Sequence, residues 1–421
     1  LIDLDLFRKN PEIFKAEIKK RNMQIDVDAD IESDKERRKL IAIVDELRAK
    51  KNENSKKVPR LGGEEKIQVI SEMKKINKEL EILEPDLIEA NNKFMERMAV
   101  YPNISHSTTP VGKSEKDNIP VFSWGEKPSF GFTPKNHSEL GKSLDILDYE
   151  RGAKVSGARF VYIKNEAVFL EFALIQYVLN MLYSKGFIPV IPPVLVKERA
   201  MYGTGFFPAE KTQYYKTELD DLYLVGTSEV ALCSYHADDT LDIKALPSKY
   251  CGFSTCFRRE AGSYGKDMGG MFRVHQFDKI EMFIFSHPEN SDRDYEFLKS
   301  TLEEIFQGLK IHYRILNMCT GDIGNVNSQK YDLEAWLPGQ DAYRELASCS
   351  NDTDFQARRL NIKYKDENGN KGLVYTMNST ACAVGRTLIA IYENYQDKEG
   401  NIRIPDVLLP YMNGIEYIAK K

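Results

Sequence analysis

The apolar residues Val69, Met73, Ile76, Leu80, Leu83, Leu87, Ala90 and Phe94 recur at alternating intervals of four and three. A stripe with that period lies along one side of an α-helix and has to be covered by a second helix. A partner lies upstream, where Leu40, Val44 and Leu47 repeat the spacing more weakly within 33–57, and Ser33 with Glu36 suits a capping box. Between the two segments stands Val58-Pro59-Arg60-Leu61-Gly62-Gly63, a helix-stopping turn. Helices joined by so short a turn pack antiparallel, each hiding the other's stripe. The second helix, Glu64 to Met98, should be roughly 50 Å long at 1.5 Å per residue. Pro85 inside it predicts a kink, because proline removes a backbone donor.

The turn end of this hairpin is basic. Between positions 48 and 60, Arg48, Lys50, Lys51, Lys56, Lys57 and Arg60 stand against one acid, Glu53. That local excess sits in a chain with 59 Lys and Arg against 64 Asp and Glu, a net charge of −5. Overall charge therefore gives no reason to expect DNA. Two readings of the tip stand side by side: the solvated loop of a dimerisation coiled coil, or an arm whose cations lie along the phosphates of a folded nucleic acid.

Six cysteines, at 233, 251, 256, 319, 349 and 382, form no C-x-x-C pair and are too scattered for a disulfide framework. They are expected as small apolar residues in a reduced interior, with no structural zinc. The richest apolar stretch, Ala167 to Tyr183, is interrupted by Glu171, Gln176 and Asn180, so no membrane span is expected. Residues 1–21 carry no apolar leader core, and Leu1 in place of Met is read as processing or trimming. The expected location is the cytoplasm.

At 421 residues the chain exceeds one ordinary core. The stretch 101–118, rich in Pro, Ser, Thr and Asn, is read as a linker. It separates an N-terminal domain, 1–100 with its arm at about 31–98, from a second domain at 119–421. In the second domain, expected strands are 160–163, 223–225, 250–257, 272–284, 311–317 and 331–336, with helices at 166–184, 292–308 and 383–395. Several strands follow one another without a crossover helix, which favours an antiparallel sheet with flanking helices.

Ordinary phosphate-binding signatures fail. Gly141-Lys142-Ser143 ends like a P-loop but has Asn136 where glycine is needed, and Gly203-Thr204-Gly205 is followed by Pro208 where a dinucleotide fingerprint needs glycine. More informative is Phe257 to Gly262, a Gly-rich loop through Gly270, then Met271 to Glu281. If both flanks are strands, Arg258 and Glu260 share a face, as do Arg273, His275, Phe277, Lys279 and Glu281. Solvated cross-strand ion pairs are the commoner meaning of such a pattern. Phe277 beside arginines also offers a stacking surface, and guanidinium forks match phosphate oxygens. Near the C-terminus, Met377 to Gly385 leads into a helix with Arg386 near its start, where a cation opposes the helix dipole unless an anion is bound.

Together these regions resemble the three signature motifs of class II aminoacyl-tRNA synthetases: Gly186-Phe187 running to Pro192-Pro193, then Arg258 to Glu260, then Gly385-Arg386. The class I signatures are absent. The arm, Gly226-Thr227-Ser228-Glu229, Phe253 to Glu281 and Glu345 to Ser350 extend the likeness, so that from its first residues to Asn413 the chain resembles seryl-tRNA synthetases of the bacterial and general eukaryotic type. The resemblance implies an α+β fold, an antiparallel-sheet class II catalytic domain with an N-terminal antiparallel two-helix coiled-coil arm. It implies ATP-dependent activation of L-serine to seryl-adenylate and transfer to serine tRNA, with selenocysteine tRNA left open. It also implies a homodimer, through the first motif, whose arm reaches tRNA held by the other subunit.

Residue roles follow from the same resemblance. Arg258 and Arg386 are the implied catalytic residues, Arg258 bridging the serine carboxylate and the α-phosphate. Glu260 bonds the adenine amino group, Phe277 and Arg386 sandwich the ring, Val274 lies beside it, and Arg273 and Arg386 hold the bent triphosphate. Arg259, which stands where many relatives have Ser, is counted with the ATP contacts. Glu345 and Ser348 carry hard oxygens suited to the Mg²⁺ that accompanies ATP, with Leu346 and Ala347 on the same wall. Thr227, Ser228 and Glu229 receive the α-amino group of L-serine, and Glu281 with Thr380 its hydroxyl. Arg48, Lys50, Lys51, Lys56, Lys57 and Arg60 are the implied tRNA contacts. Two other readings are a ligase that loads a carrier protein, which would be expected to lack the arm, and a non-catalytic RNA-binding coiled-coil module, which would be expected to have lost Arg258, Glu260 or Arg386.

Overall fold

The computed structural model describes residues 2–261 and 270–420. Packing divides the chain into two compact units, Leu1–Tyr101 and Pro102–Lys421. The Gly-rich stretch 262–269 of the second motif lies outside the described residues.

The first unit consists of α1 (Leu4–Lys9), α2 (Pro11–Lys20), α3 (Val27–Lys57) and α4 (Gly63–Ala99). Ile76, Leu80 and Leu87 of the heptad stripe are buried against Val44, with Leu40, Ile41, Leu47 and Leu83 packed around them. Toward the turn Val69 and Met73 are only partly covered. Helix α3 begins earlier than the sequence signals suggest. The Asp26 side chain accepts from the Ala29 N–H, and Asp28 and Asp30 fall in the first turn, where acids favour the dipole. Ser33 and Glu36 therefore lie inside the helix and start nothing. Pro85 is exposed and α4 runs on through it as one element, since the carbonyl it leaves unbonded, on exposed Glu81, is open to water. At the base of the hairpin, Phe7, Phe14 and Tyr101 meet edge to face, and the Tyr101 hydroxyl donates to Asp30 at 2.7 Å.

The second unit is built on an eight-stranded sheet. Its strands are β1 (Ile119–Trp124), β2 (Ile188–Val190), β3 (Ser248–Phe257), β4 (Gln276–Ser286), β5 (Tyr313–Asn317), β6 (Gln329–Leu337), β7 (Ala342–Thr353) and β8 (Tyr375–Ala383). They lie in the order β1-β5-β6-β7-β8-β4-β3-β2, antiparallel except for the pair β2–β3. One face is covered by α5 (Glu166–Ser184), α6 (Ser291–Gly308) and α7 (Val384–Asn394) over a core that takes Ile280, Met282 and Ile284 from β4, Leu333 and Ala335 from β6 and Cys349 from β7. All six cysteines are buried and free. Helix α5 is apolar and long enough to cross a membrane by composition alone, but Leu170, Leu174, Val178 and Leu182 are buried in this core.

The segment read as a linker is not a free spacer. Asn103 donates through Nδ2 to the Asp352 carbonyl at 2.7 Å, Thr109 donates to the Ser328 carbonyl at 2.9 Å, and Asn118 donates to Asp322 at 2.8 Å. Its short polar side chains, which suggested a loop, serve to satisfy backbone and carboxylate groups of the second unit.

The hairpin of the second motif is also shorter than expected. The ladder of β3 and β4 ends at the pair Phe257–Gln276, so Arg258, Glu260 and Arg273 lie beyond the strands. Arg258 N–H still donates to the His275 carbonyl at 3.0 Å, but the His275 amide turns to the Arg159 carbonyl and Glu260 takes a positive φ of 49°. The alternation of faces therefore holds from Phe277 onward and fails before it.

Candidate active site

Alternation along β4 sends Ile280, Met282 and Ile284 to the helix-covered core and turns Phe277, Lys279 and Glu281 toward a cavity of about 860 Å³. The same cavity takes residues from the first turn of α7, from β7 and β8, and from the segments around Gly205 and Gly226.

At one end sits Glu281, buried, opposite Gly252 of β3 and Thr380 of β8. A bulge at Ala381 sets the register that brings Thr380 across from it. Gly252 leaves no room for a side chain, since a Cβ there would lie 3.0 Å from Leu232 and 3.1 Å from the Ser228 hydroxyl. The Thr227 and Thr380 hydroxyls donate to Glu281 Oε2, each at 3.4 Å, and the Lys279 ammonium contacts the same oxygen. Close by, Glu229 accepts from Gln356 Nε2 at 2.9 Å. Burial, and then the charge of Glu281, push Glu229 up to about 7.

At the other end are the arginines. Arg258 extends from the end of β3, its Nε donating to the Gly226 carbonyl at 3.2 Å and its guanidinium lying 5.4 Å from the Phe277 ring centre. Gly226 is what permits this approach: a Cβ there would meet Tyr214 at 2.8 Å and Arg258 at 3.3 Å. Arg258 is held charged: burial would lower its pKa, but Tyr214, Cys256, Glu260 and Glu210 more than offset it. Arg386, in the first turn of α7, donates to the Glu345 carbonyl at 3.0 Å and to its carboxylate at 3.3 Å, and lies 4.6 Å from the Phe272 ring centre. Arg273 donates to Glu260 at 2.7 Å. Glu345 resists the upward pull of burial because Arg386, Lys330 and Arg258 hold its carboxyl below its usual value.

Glu345 and Ser348 are three apart, a spacing that an unbroken strand would send to opposite faces. Strand β7 bulges at Leu346, pairing Glu345 with Glu334 and Ala347 with Leu333, so Glu345 and Ser348 return to one face. The Glu345 carboxylate and the Ser348 hydroxyl thus stand on one wall as two hard oxygen donors, a set that would fit a magnesium ion accompanying phosphates.

The cavity thus gathers Thr227, Glu229, Arg258, Glu260, Arg273, Val274, Phe277, Glu281, Glu345, Leu346, Ala347, Ser348, Thr380 and Arg386. Two expected residues are placed elsewhere. The Ser228 side chain is buried and donates to the Gly252 carbonyl at 3.0 Å, so it supports the pocket floor from behind. Arg259 is exposed, and its backbone N–H donates to the Gln213 carbonyl at 2.8 Å. The Phe277–Arg386 sandwich is not assembled here, since Arg258 lies over Phe277 and Arg386 over Phe272. The cavity also holds Lys279, Lys330, Glu210, Tyr214 and Asn378, which had no assigned role. Lys279 was within reach of the sequence, two residues before Glu281 on one strand, whereas Lys330 and Glu210 come from segments with no local motif.

Comparison with known proteins identifies the family. Residues 1–105 match the family described as the seryl-tRNA synthetase N-terminal domain, and residues 212–395 match the class II tRNA synthetase core domain of the G, H, P, S and T type. The serine–tRNA ligase of Treponema denticola is 44% identical over 415 residues, covering 98% of each chain. The chain belongs to the seryl-tRNA synthetase family. The solved seryl-tRNA synthetase of Pyrococcus horikoshii, crystallised with ATP, superposes at a TM-score of 0.91 with 40% identity, covering 100% of both chains. The Naegleria fowleri cytoplasmic enzyme, in complex with AMP, superposes at 0.86 with 33% identity over 100% of this chain and 99% of its own. As in other seryl-tRNA synthetases, the fold joins an antiparallel class II core to an N-terminal helical arm.

Proposed function

We propose that the cavity activates L-serine with ATP and passes the seryl group from seryl-adenylate to serine tRNA, the reaction of a serine–tRNA ligase. The observation that carries this reading is that one cavity is lined both by the cluster in which the Thr227 and Thr380 hydroxyls meet Glu281, with Glu229 close by, and by Arg258 and the Arg386–Glu345 pair. Serine places its ammonium at Glu229, its hydroxyl between Glu281 and Thr380, and its carboxylate at Arg258. Arg258 also meets the α-phosphate, so one fixed cation brings two anions together and stabilises charge growing in the transition state. The carboxylate attacks phosphorus in line, and no side chain acts as nucleophile.

The triphosphate takes over Arg273 and Arg386 from Glu260 and Glu345, which frees Glu260 for the adenine amino group and Glu345 for magnesium. Glu345 and Ser348 would hold Mg²⁺, which when bound would neutralise phosphate charge. The arm carries the tRNA, and Lys51, Lys56 and Arg60 are its most available cations, since Arg48 pairs with Glu84, Lys50 with Glu46 and Lys57 with Glu53. The working form is a homodimer in the cytoplasm, a reading supported by the apolar side chains that α5 and β2 leave exposed and by six free buried cysteines.

Pyrophosphate exchange dependent on L-serine, followed by charging of purified tRNA, tests the function. Serine should support exchange and alanine and glycine should not, because desolvated Glu281 and Thr380 would lack the hydroxyl; discrimination on the order of 10⁴-fold is expected of such a site. Equal activation of alanine would overturn the assignment.

A further inference from the structure

We infer that Lys279 is the residue that makes Glu281 read a neutral hydroxyl instead of a cation, so that Lys279 sets the charge class of side chain the pocket admits. The inference rests on the reading of this cavity as a serine-activating site.

Lys279 and Glu281 stand two apart on β4, on the same cavity-facing side, and are only 6% and 1% exposed. The Lys279 ammonium contacts Glu281 Oε2 and lies 3.4 Å from the Thr380 hydroxyl. Thr227 and Thr380 direct their hydroxyls at the same oxygen, each at 3.4 Å. Three donors therefore converge on Oε2, and among the described residues no hydrogen bond reaches Oε1. Glu281 is left with one saturated oxygen, one available acceptor and a charge already neutralised from within the protein.

Charge accounting then fixes what side chain fits. An amino-acid substrate brings an ammonium, which Glu229 meets, and a carboxylate, which Arg258 meets. Around Glu281 nothing remains to balance a third substrate charge, because Lys279 offsets Glu281 at contact, while Glu210, Glu260 and Glu345 interact with Arg258, Arg273 and Arg386. A hydroxyl satisfies Oε1 without bringing charge, whereas an ammonium in its place would sit desolvated beside Lys279. Removing the lysine charge reverses the balance: Glu281 becomes an uncompensated buried anion, and a cationic side chain becomes the better match. The serine analogue with that change and no other is L-2,3-diaminopropionate, which carries an amino group where serine carries its hydroxyl.

Pyrophosphate exchange with L-serine and with L-2,3-diaminopropionate, on the full-length protein, tests this. Wild type should use serine and reject the diamine; absence of serine-dependent exchange in wild type would instead sink the underlying assignment of function. Lys279→Met should raise the KM for serine, and the ratio of kcat/KM for the diamine over serine, by about tenfold or more each. The KM for ATP should stay within about twofold, because the lysine lies at the amino-acid end. Lys279→Arg, which keeps the charge, should retain the wild-type ratio, and adding Glu281→Gln to Lys279→Met should abolish the gain. Lys279→Gln keeps a donor for the carboxylate without the charge, and gives the same comparison if the methionine variant does not fold. An unmoved ratio overturns the inference. So does a lower serine KM in Lys279→Met, which would mean that Lys279 merely occupies the place of a substrate ammonium.

Discussion

Glu229 and Glu281 lie in one pocket yet are set to different tasks by their neighbours. Glu281 has Lys279 in contact, while Glu229 accepts from the neutral Gln356 amide and feels the Lys279 charge without an ion-pair contact, and burial beside a second carboxylate pushes it up to about 7. The sign of the consequence is fixed. A group pushed up to about 7 is protonated below that pH, and a protonated Glu229 offers no counter-charge to the serine ammonium. The kcat/KM for serine should therefore fall as pH drops through about 7, approaching tenfold per unit below it, and Glu229→Gln should flatten the profile while weakening serine throughout. A steep, unchanged profile in the variant would remove Glu229 from the ammonium site. Arg258 is the second test at this scale. Arg258→Ala takes the shared cation from between two anions, and exchange should fall by about 10²–10³-fold or more; near-normal exchange would refute its role. Glu210 and Tyr214, which help to hold Arg258 charged, were not legible in the sequence because they approach it only through the fold.

Among the elements, the helical hairpin separates most cleanly from the chemistry. Every residue proposed to touch serine or ATP lies after position 226, and every basic tip residue lies at or before position 60. Replacing residues 31–98 with a short Gly-rich link should leave serine-dependent exchange measurable and greatly reduce tRNA charging. Full charging without the arm would make it a packing element only. Within the tip, ion pairing ranks the cations in a way the linear charge count did not. Lys56→Gln with Arg60→Gln should weaken tRNA binding and reduce the log–log salt slope by about one unit per lost phosphate contact. Lys50→Gln with Lys57→Gln should do less, since each of those lysines already answers an acid one turn before it. Equal slopes for wild type and the Lys56–Arg60 variant would return the tip to a solvated loop.

For the whole molecule the open surface is that of α5 and β2. Phe172 is 64% exposed and Ile191 beyond the strand is 85% exposed, and Phe169, Tyr183 and Ile188 extend the apolar face. Such a patch fits a covered interface better than free solvent. Phe172→Glu with Ile191→Glu should shift sedimentation from the proposed dimer to a monomer that still folds, and lower charging, because both side chains are exposed on the single chain, where substitutions typically change the stability of the fold by only about 0.5 kcal/mol. A dimer undisturbed by two buried charges would place the interface elsewhere.

The sequence by itself determined what local periodicity encodes. The four-three stripe specified the helical hairpin, period-two alternation from Phe277 to Glu281 specified the cavity face of β4, and the motifs around Arg258, Glu345 and Arg386 marked residues that line the cavity. Tertiary structure decided what depends on partners distant in sequence. The Leu346 bulge returns Glu345 and Ser348 to one face, and the Ala381 bulge sets Thr380 against Glu281. A helix that already had its cap at Asp26 ran past Ser33, the supposed linker gave its polar side chains to the second unit, and Ser228 turned behind the floor it was expected to line. In each case the local preference was real, but several geometries satisfied it. The choice among them fell to burial and hydrogen-bond satisfaction, which depend on groups that only the folded chain brings within reach.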